Sequence, residues 1–241
     1  HPPSQRRPLP SCFVPRREHF PGGKRGIAVA RYPIPTAGPD QPHCTELLIR
    51  RSRFLAQCAH TPGPEAARAF VESIRRANAD ATHNCWAYVA GAPGHTARIG
   101  SSDDGEPHGT AGRPMLQVLL HCGIGEICVV VTRWFGGVKL GTGGLVRAYQ
   151  DSVRENLTGL TLAEQVPLSR LECTMSYAHL DALRRLLPAF EARVEGEDYQ
   201  AEVRLCISLP EEQAAAFCRA VAGASNGAAL CRTLETEANA G

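Results

Sequence analysis

EICVVVTRWFGGVKLGTGGLVRAYQ, residues 126–150, decides how the rest of the chain is read. Residues 127–131 form an unbroken β-branched and apolar run of strand length, and a run without alternation marks a strand covered on both faces. From Gly144 the period changes: Val146, Tyr149, Val153 and Leu157 recur at i, i+3, i+7 and i+11, one stripe of a helix that stops near Gly159. Between strand and helix stand Gly136, Gly137, Gly141, Gly143 and Gly144. Glycine permits positive φ, and a helix N-terminus points unpaired N–H groups outward, so this order of elements suits an anion. Neither standard nucleotide fingerprint fits. A Walker loop needs Gly-Lys-Ser/Thr, whereas Lys139 precedes Leu140, and the dinucleotide pattern begun at Gly141 and Gly143 meets Val146 where its third glycine belongs.

Upstream, residues 45–49 and 53–59 carry strand patterns, and Pro64 opens a helix whose Ala67, Phe70, Val71 and Ile74 follow i, i+3, i+4, i+7. Residues 84–90 read as a buried strand and 95–109 as a polar loop. A second helix begins between Thr110 and Pro114, with Met115, Leu116, Leu119 and Leu120 as its apolar face, and stops near Gly123. Downstream, strand (167–177), helix (179–187), strands (190–195 and 200–209), helix (211–221) and strand (228–234) follow in turn. That βαββαβ order is the ferredoxin-like split. The spacing therefore predicts a two-domain α/β (α+β) chain, a βα domain over 44–160 followed by a ferredoxin-like domain over 161–236.

No stretch approaches the roughly 18 apolar residues of a membrane-spanning helix. Charge is uneven. Residues 1–43 hold seven basic and two acidic groups, residues 44–160 hold 12 and 10, and residues 161–241 hold 7 and 12. An acidic C-terminal third opposes wholesale coating of nucleic acid, so any such contact is local. Residues 1–43 contain ten of the 18 prolines and read as a disordered basic leader. They lack the apolar core of a secretory signal. The ten cysteines show no C-x₂-C or C-x₄-C pair, and several sit on apolar strand patterns, such as Cys128, Cys173 and Cys206. They read as reduced core residues in a reducing, cytoplasmic compartment.

SSDDGEPHGTAGRPM, residues 101–115, gathers Asp103, Asp104, Glu106 and His108 around Gly105 and Gly109. Carboxylates and an imidazole at this density suit a hard cation or acid–base work. They equally suit a turn whose carboxylates cap the following helix, and the adjacency of Asp103 and Asp104 departs from the calcium-loop spacing. Arg133 and Lys139 beside Trp134 and Phe135 combine cations with stacking surfaces, as single-strand nucleic-acid platforms do. The alternative is that both aromatics pack in the core. His83 and Cys85 share one strand face and can join Asp103 or Glu106, the alternative being a satisfied histidine at a strand start; Cys85 or Cys122 as a nucleophile with His83, His108 or His121 is a pairing that nine histidines and ten cysteines give by chance.

Three stretches, ATHNCWAY (81–88), SDDGEPHGTAGRPM (102–115) and VTRWFGGVKLGTGGLVRAY (131–149), closely resemble the IMPACT family in its bacterial YigZ-like branch. The resemblance covers roughly residues 44–236, and the leader departs from it. It implies an N-terminal domain similar to the second domain of a small-subunit ribosomal protein, a fold also found in elongation factor G. It implies a C-terminal domain similar to elongation factor G domain V. Eukaryotic relatives regulate translation by competing for a co-activator of an initiation-factor kinase, and they carry a different partner-binding domain that the resemblance does not extend to, so their mechanism is not expected to transfer directly.

The resulting expectation is a non-enzymatic, translation-associated protein that binds RNA, the ribosome or a regulatory partner, without cofactor, resident metal or membrane. Arg133 and Lys139 are expected to contact phosphates. Gly136, Gly137, Gly141, Thr142, Gly143 and Gly144 would admit the backbone, and Asp103, Asp104, Glu106, His83 and Asn84 would shape the cleft. The competing expectation is an enzyme acting on a phosphorylated small molecule or nucleotide, with Mg²⁺ on the acidic loop. A third is a protein-interaction module in the acidic C-terminal domain. The sequence sets no oligomeric state.

Overall fold

A computed structural model describes residues 30–234. Its centre is the strand expected from the apolar run, Ile127–Trp134, here β6, with seven of its eight residues buried. It lies in the middle of a five-stranded antiparallel sheet. His43–Ile49 (β2) and Ser52–His60 (β3) form a hairpin, β3 pairs with β6, β6 with His83–Val89 (β4), and β4 with Ile99–Ser102 (β5), giving the order β2-β3-β6-β4-β5. Helices cover both faces, which is why the sequence of β6 does not alternate. Ile127, Val129 and Val131 pack under Gly112–His121 (α2) and Thr142–Thr158 (α3), while Cys128 and Val130 face Pro64–Ala77 (α1). Burying each such side chain contributes about 1.5–3 kcal/mol. The stripe of Ala67, Phe70, Val71 and Ile74 on α1 is buried as its period requires.

The C-terminal elements follow the expected order: Leu168–Met175 (β8), Leu180–Leu186 (α4), Arg193–Tyr199 (β9), Val203–Pro210 (β10), Glu211–Ala224 (α5) and Leu230–Leu234 (β11). The sheet order β11-β8-β10-β9 places the first and third strands of the unit at the centre, the ferredoxin-like arrangement. Leu171, Cys173, Met175, Leu205, Ile207 and Leu209 alternate toward Leu183, Phe217 and Val221 of the two helices.

Three short strands depart from the sequence reading. β5 lies inside the stretch read as polar loop; its four residues, IGSS, have no strand character of their own and are held by β4. Tyr32–Pro35 (β1) pairs with Leu162–Gln165 (β7) across the entire N-terminal domain. This corrects the leader: its residues 32–35 are built into the fold, and the leader reading over 1–29 lies outside the described residues. Two prolines in four residues hid β1, since proline donates nothing to a ladder and is tolerated only on edges.

The β1–β7 ribbon is fastened on both sides. Tyr32 Oη donates to Glu126 Oε1 at 2.8 Å, and His60 Nε2 lies 2.6 Å from Glu126 Oε2. Arg31, one residue before β1, donates to Glu212 on α5 at 2.9 Å and to Glu164 on β7 at 3.3 Å, and also pairs with Glu191.

Candidate functional site

Arg133 stands at the end of β6, where the strand leaves the cover of α3. Its side chain is 6% exposed, and its Nη1 donates to Glu106 Oε1 at 2.6 Å. Tyr149, the polar-tipped member of the α3 stripe, donates its hydroxyl to the same oxygen at 2.8 Å. Burial pushes the Tyr149 phenol far up, so it stays protonated and remains a donor. Arg133 Nη2 reaches Ser52 Oγ at 3.3 Å, while its buried Nε has no hydrogen-bond partner. The guanidinium also sits 5.4 Å from the Phe54 ring centroid and 5.5 Å from that of Phe135.

Arg133, Glu106 and His83 form one side of a cleft of about 400 Å³. Thr82, Pro107 and Phe135 line it further, and Lys139, Leu140, Gly141, Thr142 and Leu145 close the other side. Gly141 has φ +75°, a conformation that only glycine adopts freely, and turns the chain into α3. The first turn of α3 carries no side-chain cap and no acidic residue, leaving its positive end open to the cleft. Glu106 balances Arg133; Lys139 and the helix terminus are left uncompensated. Phe135 is 47% exposed beside them.

His83 Nδ1 lies 2.8 Å from the Asp104 carbonyl, which can only accept, so Nδ1 carries the hydrogen and Nε2 faces Glu106 Oε2 at 3.9 Å. The remaining expected residues serve elsewhere. Asp103 accepts from Gly109, Ala111 and Gly112 N–H at 2.7, 3.0 and 2.8 Å, and so caps the start of α2. Burial pushes its carboxyl up, but these three donors outweigh burial and hold it below the usual value. Asp104 accepts from Arg75 and from the Asn84 backbone, both at 2.6 Å. Asn84 Oδ1 takes the Thr132 hydroxyl at 2.8 Å, within the sheet. Of the three carboxylates, Glu106 alone lines the cleft. Among the described residues no group of three or more His, Cys, Asp or Glu side chains is placed to hold a metal ion.

The glycines divide in the same way. A Cβ on Gly136 would collide with the Arg51 backbone, so that position serves chain packing rather than ligand access, whereas Gly137 and Gly143 have open space around them. Arg51 belongs to the β2–β3 turn, where Arg50 and Arg51 adopt φ of 46° and 67°. Arg53 lies 4.4 Å over the Trp134 ring, whose Nε1 donates to Asp80 at 2.9 Å. Arg50 and Arg51 thus add an exposed basic edge beside the glycine loop, while Arg53 is paired with Glu46 at 2.9 Å. Sequence reasoning missed this edge, and it missed Ser52 and Tyr149. The signals were present: Arg-Arg between two alternating strands is a two-residue turn, and a buried tyrosine hydroxyl requires a partner. Cys85 is buried with its thiol pushed far up by desolvation, which removes it as a ready nucleophile.

A helix-covered antiparallel sheet bearing an open cationic cleft, joined to a ferredoxin-like unit, defines a two-domain α+β protein. The Impact N-terminal domain model matches residues 50–157, and a domain of unknown function (DUF1949) matches residues 173–228. IMPACT family member YigZ of Escherichia coli is 45% identical over 187 residues, covering 78% of this chain and 92% of that protein. IMPACT family member YvyE of Bacillus subtilis is 35% identical over 182 residues, covering 76% and 83%. A crystal structure titled as a hypothetical protein superposes with a TM-score of 0.62 at 42% identity, over 87% of this chain and all of that one. The chain belongs to the IMPACT family. Protein IMPACT of rabbit is 32% identical over 102 residues, only 32% of its length.

Proposed function

We propose that this chain is a non-enzymatic binding protein of the translation apparatus that takes RNA phosphate groups into the cleft between Arg133 and the start of α3. The observation that carries this reading is the uncapped, acid-free first turn of α3, which opens onto the same cleft as exposed Lys139. Backbone N–H groups at a helix N-terminus favour negative charge, and Lys139 adds a mobile point charge. Phe135 offers a ring for a base next to the phosphate, and exposed Arg50 and Arg51 extend the basic track. Arg133 acts differently from a surface cation: its charge is balanced by Glu106, so it holds the cleft's shape. IMPACT family membership supports the setting in translation. An enzyme with Mg²⁺ on the acidic loop fits less well, because Asp103 and Asp104 are already engaged by backbone and Arg75 donors.

The test is a salt series of single-stranded RNA and ribosome binding with the full chain, Lys139→Ala and Gly143→Asp. Gly143 has room for a side chain, and the new carboxylate would stand in the first turn of α3 where the phosphate is expected. Lys139→Ala should flatten the slope of log K against log salt by about 0.7, and Gly143→Asp should lower affinity about tenfold or more at low salt. Both variants binding RNA like the parent, with the same slope, would sink the reading.

A further inference from the structure

The C-terminal sheet brings three thiols together. Cys173 on β8 and Cys231 on β11 are directly opposed in antiparallel register, and their sulfurs are 2.7 Å apart. Both point toward the helices, where Cys218 of α5 also hydrogen-bonds Cys231. We propose that Cys173 and Cys231 are a cross-strand dithiol that hydrogen peroxide converts to an intramolecular disulfide. A bridge needs Cα atoms within about 7 Å and Cβ vectors converging on one side of the sheet. Directly opposed residues of an antiparallel pair, about 4.5–5.5 Å apart, meet that requirement without backbone movement.

The two sulfurs are not equivalent. Cys173 is buried, whereas Cys231 is partly accessible on the edge strand of the sheet, next to Leu230, which is 72% exposed. The hydrogen bond from Cys173 holds Cys231 below the ordinary thiol value; burial opposes this and the bond from Cys218 reinforces it. The same contact, together with burial, pushes Cys173 up. Cys231 is the sulfur a peroxide can reach, and as its thiolate it attacks a peroxide oxygen: the O–O bond breaks, a sulfenic acid forms and, with one proton taken up, water leaves. The Cys173 sulfur then attacks the sulfenic sulfur. An S–S bond forms, the S–O bond breaks, and the thiol proton leaves with the hydroxyl as a second water. Two thiols lose two electrons and one peroxide becomes two waters. The product ties edge strand β11 covalently to β8.

Trypsin separates the three thiols: Cys173 falls on residues 171–184, Cys231 on 220–232, and Cys218 with Cys206 on 205–219. The full chain is treated with stoichiometric hydrogen peroxide, its remaining thiols are alkylated, and the digest is mapped by mass spectrometry with and without dithiothreitol. The expected product is peptide 171–184 joined to 220–232, two hydrogens lighter than the pair and released by dithiothreitol. Cys218→Ser should leave this linkage in place and Cys231→Ser should abolish it. The wild-type map decides even where Cys231→Ser does not fold. Peptides 171–184 and 220–232 recovered fully alkylated while exposed Cys44 has been oxidised would overturn the proposal. So would a bridge from 220–232 to 205–219, or one joining two chains.

Discussion

Glu106 is the side chain on which the cleft depends. One of its oxygens accepts from both Arg133 and Tyr149, and the carboxylate side chain is 3% exposed. Two charges taken this far out of water are tolerable only as a pair, and losing one member leaves the other without compensation. Arg133→Met should therefore destabilise the chain by about 3–5 kcal/mol. Arg133→Met with Glu106→Leu should recover most of that loss, because the desolvation cost of both charges disappears together. Urea denaturation of the two variants checks this; a double variant as unstable as the single one would show that the pair is not the reason. Lys139→Ala separates binding from stability, since Lys139 lies on the exposed rim and its loss has no such cost. From the sequence, Arg133 reads as a phosphate ligand, and only the packing of Tyr149 and Glu106 around it reveals a structural charge. Nothing in residue spacing distinguishes those two roles.

At the next level, the loop between β5 and α2 shows why three neighbouring carboxylates act so differently. Asp103 stands where the N–H groups of Ala111 and Gly112, at the start of α2, converge, and a Cβ on Gly112 would strike the Ser102 backbone at 2.6–2.7 Å. The turn is therefore closed tightly around an acceptor. Because the folded pKa of Asp103 lies below the 3.8 of the free group, its ionised form stabilises the fold above that value. That contribution is lost as pH falls through the lowered folded value. Asp103→Ala removes the acceptor and should cost about 0.5–2 kcal/mol at pH 7. The gap between Asp103→Ala and the parent should stay level from pH 7 down to about 4.5 and narrow below the reference value near 3.8. Urea midpoints taken across that range measure it; a gap that widens on acidification would refute the cap. The capping reading was available in the sequence beside the metal reading, and the choice between them required knowing where α2 begins. The long elements were legible because their burial writes a period into the chain, as in α1 and β10. β5 and β7 were not: each has four residues, and both exist because a partner strand supplies the other half of the hydrogen bonds.

Across the whole molecule, charge and architecture interact. Residues 44–160 carry two net positive charges and residues 161–241 five net negative ones, so a phosphate chain brought to the N-terminal cleft, as proposed, would be repelled by the neighbouring unit. Where that acidic unit stands therefore matters. Among the described residues Arg31 ties it to the ribbon. It is 27% exposed and gathers Glu164 from the ribbon with Glu191 and Glu212 from the C-terminal domain, so a single guanidinium neutralises part of a three-carboxylate cluster at the junction. The three carboxylates raise the Arg31 pKa further above its already high value, so the tie persists at every ordinary pH. No local pattern in the sequence announces it, because its partners lie 133, 160 and 181 residues away. Arg31→Ala would leave three carboxylates facing one another with no cation among them. Each domain keeps its own core, so the unfolding midpoint should change little, while the domains should separate. Small-angle X-ray scattering at low salt should then show a larger radius of gyration and a broader distance distribution than for the parent. High salt should shrink the difference by screening the exposed carboxylates. Superimposable scattering from parent and Arg31→Ala at low salt would mean that the β1–β7 ribbon alone sets the junction and that the guanidinium merely decorates it.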